Sequence, residues 1–488
     1  MRETAGGGRA AYRTGGRANA AAGLLAKLTG GLVSPQGRRF AMVLGAAFGL
    51  AGLAAMLPPS KAEAQAGADY LGVATCAGST CHGRAEGNGA VVRQDEIATW
   101  QEPSSPSGAH SRAYAVLGSA RRRQIAATLG LGAPTGAPAC LGCHATYVPE
   151  SRRGARFITA DGVGCESCHG PAENWLAVHY ARPATHASNV RAGLTPLTDP
   201  RVRAQVCLDC HYGSTKTGQF VTHEMMAAGH PRVSFELDLF SALQQHHDID
   251  ADYRARKGAT DSARLWAVGQ AEAVRRQTDL YARPDYGMQG AFPEFYFLDC
   301  HSCHRTITDG PQRKLTFETN PGRPIPFGNP PFNDENMILL SAVSRTLAPQ
   351  QGAAFDDASR AFHRAMGQSR SASQEAAMAL RERAQALSGA LAARGYSESD
   401  TFAIIAAIAG EATQPRFTDY AGSVQAVMAI DTLLNSLVRD GRVTVGAAAG
   451  IRASINRAYG AVSAPNAYRP GAFRSALGQA TRAIGALR

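Results

Sequence analysis

Residues 165–169 read Cys165-Glu-Ser-Cys168-His169, and the same spacing recurs in three other places along the chain. These are Cys140-Leu-Gly-Cys143-His144, Cys207-Leu-Asp-Cys210-His211 and Cys300-His-Ser-Cys303-His304. A fifth motif, Cys76-Ala-Gly-Ser-Thr-Cys81-His82, has four residues between its thiols rather than two. The five motifs use all ten cysteines of the 488-residue chain. Two thiols followed at once by a histidine are typical of covalent haem attachment.

The short spacing has a chemical reason. Two thiols must reach the two vinyl groups on one edge of a porphyrin, while the next residue turns its imidazole towards the iron. A zinc knuckle or a redox dithiol uses the same short turn, but neither explains a histidine after every second cysteine. For the wide first motif, a disulfide between Cys76 and Cys81 is the alternative.

The sequence therefore predicts a multihaem c-type cytochrome with five haem c groups, numbered here from first to fifth in chain order. The predicted thioether residues are the ten cysteines of these motifs. The predicted proximal iron ligands are the five histidines that end the motifs, which are His82, His144, His169, His211 and His304.

The N-terminus resembles an export signal, because a basic stretch ending at Arg39 is followed by the uncharged segment Ala41 to Leu57. Small residues around Ala64 offer a cleavage site. We expect residues 1–66 to be a signal that is cleaved, with an uncleaved membrane anchor as the alternative. The predicted location is the periplasm.

Net charge argues against nucleic-acid binding. The chain carries +11, but its first 66 residues contain eight Lys/Arg and two Asp/Glu, which leaves about +5 for the mature protein. Haem propionates would bring the loaded protein close to neutral. The expected partners are redox proteins that donate or accept electrons, with membrane association as an open alternative.

Composition divides the mature chain in two. All motifs lie within the predicted haem domain, residues 67–320, whereas residues 335–488 contain no cysteine and a single histidine, His363. The Pro-rich residues 321–334 between them are predicted to be a linker. The predicted fold is mainly α: short helices and loops around five haems, followed by a C-terminal helical bundle.

Apolar periodicity predicts the helices of that bundle. The expected ranges are 335–348, 352–367, 371–394, 399–410, 420–439, 443–460 and 471–487. Ser371 and Gln374 have the spacing of a capping box, and Gly395 follows the same helix as a candidate C′ residue.

The order and surroundings of the motifs resemble a known family. The residues that carry the resemblance are Gly162-Val-Gly-Cys165-Glu-Ser-Cys168-His169-Gly-Pro, then Trp175 and His179, and later His223-Glu-Met-Met-Ala-Ala-Gly-His230-Pro. With the second and fourth motifs, they are similar to the cytochrome c five-fifty-four family, tetrahaem electron carriers of the hydroxylamine-oxidation pathway in ammonia oxidisers. The resemblance covers about residues 70–235.

This resemblance implies a mostly helical haem core with porphyrins in close pairs, and distal iron ligands from outside the motifs. It implies that His179 serves the first haem, His110 the fourth and His230 the third. In the family the second haem, which here is that of His144, can lack a strong sixth ligand.

The chain departs from the family in its wide first motif, its fifth motif and its C-terminal bundle. For the distal ligand of the fifth haem, His223 is the first choice, with His246 and His247 behind it. We expect His186, His301 and His363 to be surface or packing residues. Met225 and Met226 are alternative thioether ligands, although methionines near a helix more often fill a core.

Two function classes follow from the ligands. Two imidazoles saturate the iron and favour electron transfer, whereas an open sixth position allows substrate binding. The sequence favours an exported carrier of single electrons, more a redox protein than an enzyme. The alternative is a reductase or oxidase of a small nitrogen or sulfur compound at one five-coordinate haem. A docking subunit, whose C-terminal helices bind a membrane partner, is a third class.

Overall fold

The computed structural model describes residues 67–87, 93–232, 234–258, 261–286, 292–304, 323–324, 329–415 and 419–488. The predicted export segment lies outside these ranges, as does part of the predicted linker. All described residues belong to one compact unit, Gln65–Arg488. Within the described ranges there is no β-strand, only two isolated bridges, Tyr70 with Arg153 and Leu298 with Phe332. The mainly helical fold class predicted from the sequence is confirmed.

The part of the chain that holds the motifs is built from short helices joined by turns. In chain order they are α1 Val73–Cys76, α2 Glu96–Gln101, α3 Ala120–Thr128, α4 Pro138–His144, α5 Cys165–His169, α6 Leu176–Tyr180, α7 His186–Arg191, α8 Pro200–His211, α9 His223–Ala227, α10 Leu237–Leu243, α11 Ala251–Lys257, α12 Ser262–Ala282 and α13 Cys300–Cys303. Only α12 is long, and its Asp261 N-cap accepts a hydrogen bond from the Arg264 N–H.

The C-terminal helices follow the predicted ranges to within three residues at each end. They are α14 Met337–Leu347, α15 Pro349–Ala365, α16 Arg370–Ala393, α17 Glu398–Ala412, α18 Tyr420–Arg439, α19 Val445–Ala461 and α20 Pro470–Gly485. The periodic pattern of apolar residues is therefore sufficient to locate these helices in the sequence.

The details of the α16 ends differ from the prediction. Ser369, not Ser371, is the N-cap, because its side chain accepts from the Ala372 N–H. At the other end Arg394 is extended, with φ −77° and ψ 155°, and Gly395 is not left-handed. The predicted capping box was wrong, because Ser369, two residues before Ser371, is the N-cap. The predicted glycine stop was wrong, because the helix ends at the extended residue Arg394.

One hydrophobic core runs through α12 and α14 to α20. Helix α12 contributes Trp266, Val268 and Leu280, each at most 1% exposed. It packs along α16 on one side and against α8 on the other, and α8 ends in the fourth motif. Because α12 precedes the predicted domain boundary, the core includes a helix from the predicted haem domain.

The described part of the predicted linker is buried rather than exposed. Arg323, 4% exposed, forms ion pairs with Asp334 and Asp419, and Phe332 and Asn333 are fully buried. Proline prevents a helix here, as predicted. It does not keep the segment in solvent, because Arg323 and Phe332 contact the bundle. The proposed domain boundaries themselves stay a prediction.

Helix α18 is the one described helix that is long and apolar enough to cross a membrane by length and composition. Of its most apolar window, 83% is buried inside the protein, which is also what a core helix shows.

Candidate haem sites

Short helices put each thiol pair and its histidine together. Helices α4, α5 and α8 end at His144, His169 and His211, and α13 ends just before His304. In a helix, residues three apart lie on the same face, so both thiols of a two-residue spacer point the same way. The residue after them occupies the last turn.

The wide first motif reaches a similar arrangement with a loop. The Cys81 N–H donates to the Gly78 carbonyl at 2.8 Å, and the His82 N–H donates to the Cys76 carbonyl at 3.2 Å. These bonds keep His82 beside Cys76 although two extra residues separate the thiols. Cys76 and Cys81 are both free thiols.

Every proximal histidine lies opposite a second histidine ring. The ring centroids are 6.0 Å apart for His82 and His179, 6.3 Å for His144 and His230, 6.2 Å for His169 with either His246 or His247, 6.4 Å for His211 and His110, and 6.2 Å for His304 and His223. Five separate pairs of this kind, each at a motif, require a common cause.

The spacing fits an iron atom between two imidazoles. An imidazole nitrogen binds a first-row metal at about 2.0 Å and lies roughly 1.1 Å from its ring centroid, so two ligands in line hold their centroids about 6.2 Å apart. All five pairs lie within 0.2 Å of that value. The residues present thus fit the predicted haem groups, the wide first motif included.

Three of the predicted pairings are present in the structure. His179 lies opposite His82, His110 opposite His211, and His223 opposite His304. The first two followed from the family resemblance. The third is the first choice named above for the distal ligand of the fifth haem.

The structure differs at the second and third haem sites. His230 lies opposite His144, not His169, because the turn that carries it packs on α3, where Arg121 donates to the Gly229 carbonyl at 2.8 Å. The rings opposite His169 are those of His246 and His247, which the sequence analysis named only as second choices for the distal ligand of the fifth haem. A second imidazole therefore lies at the second site, where the resemblance allowed a strong sixth ligand to be absent.

The ring nitrogen that faces away from the partner is often held by an acceptor. His82 Nδ1 lies 2.9 Å from Glu96 Oε2, and His144 Nδ1 lies 2.8 Å from the Ala113 carbonyl. His230 and His246 make the same contact, at 2.8 Å, with the carbonyls of Pro231 and Gln244. An Nδ1–H donated to an acceptor leaves Nε2 as the free nitrogen, which is the usual arrangement of a metal-bound histidine.

Burial keeps these imidazoles neutral. It lowers the pKa of His211 and of His246 to about 4 and holds the pKa of His169 well below its usual value. Only a neutral imidazole has a free lone pair for a metal, so these rings are ready to bind near neutral pH.

Motifs from different parts of the chain adjoin each other. The Cys76 thiol interacts with the Cys165 thiol, and Cys143 Sγ lies 3.9 Å from the Cys210 carbonyl. The Glu166 carboxylate, in the third motif, connects that motif to the chain before the first motif. It accepts hydrogen bonds from the N–H groups of Leu71 and Gly72 there, and from that of Ala172, at 2.7–2.9 Å. The first site thus adjoins the third, and the second adjoins the fourth.

A close backbone contact brings the second and fourth motifs together. A Cβ on Gly142 would lie 2.5 Å from the Gly218 carbonyl carbon, so only glycine fits. The Gln219 side chain donates to the Gly142 carbonyl at 3.0 Å and lies 3.5 Å from Cys210 Sγ.

A buried polar network connects the fourth and fifth motifs. The Tyr212 hydroxyl, next to the proximal ligand of the fourth site, donates to Glu335 Oε1 at 2.8 Å. Arg232 donates to the same oxygen at 2.9 Å and approaches Cys300 Sγ at 3.7 Å. This network could not be predicted from the sequence, since its members are far apart along the chain.

The remaining histidines have other neighbours. His301 Nδ1 lies 2.8 Å from the Pro465 carbonyl, His363 Nε2 lies 3.1 Å from Asp334 Oδ2, and His186 Nε2 lies 3.3 Å from Thr198 Oγ1. Of the two methionines considered as ligands, Met226 packs against the main core.

Comparison with known proteins agrees with this geometry. Residues 75–170, about a fifth of the chain, match the family described as "Cytochrome c554 and c-prime". The match contains the first three motifs and His110, while the fourth motif, His179 and His230 lie beyond it. No curated protein and no solved structure matches the chain. The motifs and the family match together identify the chain as a multihaem c-type cytochrome similar to cytochrome c554.

Proposed function

We propose that this cytochrome is an exported pentahaem electron carrier in which every iron has two histidine ligands. One observation supports this most strongly: each of the five proximal histidines has a second imidazole 6.0–6.4 Å away. Haem iron, when bound, supplies a one-electron couple, and two imidazoles leave it no open position.

In this proposal the protein residues bind the haem groups, orient them and insulate them from the solvent. Ten cysteines would hold the groups covalently, and His82, His144, His169, His211 and His304 would supply the proximal nitrogens. His179, His230, His110 and His223 would supply the distal nitrogens of the first, second, fourth and fifth sites. Adjoining thiols of the first and third motifs, and of the second and fourth, support close pairs of haems through which electrons can pass.

Export and redox partners are part of the same proposal. Covalent haem attachment occurs outside the cytoplasm, and residues 1–66 have the charge pattern of an export signal. The partners would be redox proteins of the periplasm or the membrane.

The alternative, a reductase or oxidase at an open haem, has less support. The resemblance locates such a haem at the second site, and there His230 lies 6.3 Å from His144. Substrate could bind only if His230 left the iron.

Electron paramagnetic resonance of the oxidised protein tests the proposal. We expect five low-spin signals and no high-spin signal, and no rapid reoxidation of the reduced protein by nitrite, hydroxylamine or nitric oxide. A high-spin haem in the unsubstituted protein, together with rapid reoxidation by one of these compounds, would establish the enzyme instead.

A substitution at the second site makes the test specific. His230→Ala should convert one haem in five from low to high spin while mass spectrometry still finds five attached haems, because the thioethers are untouched. His186→Ala, which removes a histidine that lies opposite no proximal ligand within the described residues, is the matched control and should keep five low-spin haems. An unchanged spectrum of His230→Ala would remove the ligand assignment.

A further inference from the structure

Two imidazoles compete for the third haem site. His246 and His247 are adjacent in sequence, their centroids are 4.2 Å apart, and both lie 6.2 Å from His169. The possible ligand nitrogens of the three rings all lie within 4.8 Å of one another. An iron that already holds His169 has one axial position left, so one of the two adjacent histidines must do something else.

The contacts of the two rings differ. His246 Nδ1 has a backbone acceptor, the Gln244 carbonyl, at 2.8 Å, so its Nε2 is directed to the metal side. His247 keeps 35% of its side-chain surface exposed, and its Nδ1 faces Glu96 Oε1 at 3.5 Å. Of the two rings, His246 therefore has the surroundings of an iron ligand.

Glu96 is the first residue of α2 and is 5% exposed. Its Oε2 lies 2.9 Å from His82 Nδ1, the far nitrogen of the proximal ligand at the first site. Its other oxygen, Oε1, is buried without a hydrogen-bond partner among the residues that the structure describes, and it lies 3.5 Å from His247 Nδ1. A buried carboxylate oxygen without a donor is costly, so an N–H from His247 is the natural complement.

Glu96 lies behind two imidazoles at once, with Oε2 at 2.9 Å from His82 Nδ1 and Oε1 at 3.5 Å from His247 Nδ1. A charged carboxylate behind a ligating imidazole fixes the ring and increases its basicity, which stabilises the oxidised metal.

We propose that His246 is the distal ligand of the third haem, and that Glu96 is a positioning residue shared by two haem sites. Through Oε2 it orients His82 at the first site. Through Oε1 it holds His247 away from the iron of the third site, so that His246 binds there. This inference rests on the proposed function, in which all five haems have two histidine ligands.

Spectra of histidine variants test the ligand choice. His247→Ala should leave the low-spin signal of the third haem unchanged. His246→Ala should replace that signal by a high-spin signal or by a low-spin signal with altered g values, and the double variant should be high spin. His186→Ala is the control, and haem content by mass spectrometry shows that each variant has assembled. The reverse pattern, or equal effects of the two single substitutions, would overturn the assignment.

Variants of Glu96 test the positioning role. Glu96→Gln keeps an oxygen that can accept the His82 N–H but removes the charge. We expect it to raise the midpoint potential of the first haem, with five low-spin haems retained. Glu96→Asp, which keeps the charge, should return the potential part of the way. The signal that becomes high spin in His179→Ala identifies the first haem. Unchanged potentials in Glu96→Gln, or loss of haem from it, would contradict the role.

Failure of this inference is distinguishable from failure of the proposed function. The unsubstituted protein alone decides whether five low-spin haems exist. Only the variants decide which histidine and which carboxylate act at the first and third sites.

Discussion

Asp299, the residue before the fifth motif, shows what one buried side chain can do. It is 2% exposed, and its Oδ2 caps α13 by accepting from the Ser302 N–H at 3.0 Å, while its Oδ1 has no hydrogen-bond partner in the described part of the chain. Burial, and after it the charge of Asp419, raises the pKa of Asp299 to about 7 from the ordinary value of 3.8. The folded protein therefore binds this proton more tightly than the unfolded chain does.

The sign of the pH effect follows from that shift. A carboxyl group whose pKa is raised on folding costs stability once it ionises, so the stability falls as pH rises from 3.8 to about 7. Asp299→Asn keeps an oxygen for the cap and removes the ionisation. We expect urea unfolding to show that the variant gains at least about 1 kcal/mol relative to the unsubstituted protein between pH 5 and pH 8. An equal pH dependence of both proteins would show that Asp299 does not ionise in this range.

Single residues also show what the sequence could and could not predict. The proposed proximal ligands follow from spacing alone, because each one comes directly after the second cysteine of its motif. Distal ligands come from separate loops, so their partners depend on how those loops pack. His223 lies opposite His304, the pairing that the sequence analysis preferred, whereas His230 lies opposite His144 rather than His169, because its turn packs on α3. Glu96 has no motif and could be found only from its contacts.

At the scale of elements, the contact between α4 and the loop after α8 determines how two motifs meet. Alanine inside a helix is normally more stable than glycine by up to about 1 kcal/mol. Gly142 is an exception, because a Cβ there would lie 2.5 Å from the Gly218 carbonyl carbon and 2.6 Å from the Thr217 carbonyl oxygen. Neither backbone atom can move without shifting the loop.

We therefore expect Gly142→Ala to destabilise the protein by about 1–3 kcal/mol. It should also change the spectra of the second and fourth haems together, because the contact joins their motifs. Gly389→Ala is the matched control: Gly389 lies within α16, and a Cβ there would meet no atom of the described residues within 4 Å. That variant should be neutral or slightly more stable. Equal stability of the two variants in urea unfolding would argue against the close contact.

Elements differ in how well the sequence predicts them. The bundle helices α14 to α20 have amphipathic periodicity, so their ranges could be predicted closely. Helices α4, α5 and α13 have at most seven residues and contain the motifs themselves, so periodicity cannot locate them. The N-cap of α16 was predicted two residues too late, at Ser371 instead of Ser369, because several serines lie near the start of this helix and Ser369 is the extended one.

On the scale of the whole molecule, the haem region and the bundle share buried contacts. Gln425 in α18 donates to the Phe235 carbonyl at 3.0 Å, and Thr432 in the same helix donates to Asp238 Oδ2 at 2.6 Å. The sequence suggested two domains because all the motifs lie in the first part of the chain, whereas residues 335–488 contain no cysteine and one histidine. The composition of the sequence shows where the predicted haem ligands lie along the chain, but it does not show which helices pack together.

We expect the two regions to unfold in one transition, so that the Soret absorbance and the far-ultraviolet circular dichroism give the same midpoint. Phe355→Ala, at a fully buried position in α15, should lower both midpoints together and cost about 3–5 kcal/mol. Met378→Ala is the control, because Met378 is 39% exposed. A bundle that melts in Phe355→Ala while the Soret band is unaffected would establish two independent domains.

The adjoining thiols of the first and third motifs, and of the second and fourth, have a consequence for biogenesis. If the polypeptide reached this arrangement before its cysteines had reacted, sulfur atoms belonging to different attachment sites would already be neighbours. In an oxidising compartment such neighbours form disulfides, which would cross-link the wrong partners and block the later thioether bonds. We therefore expect the porphyrins to be ligated on a still open chain, with compaction afterwards.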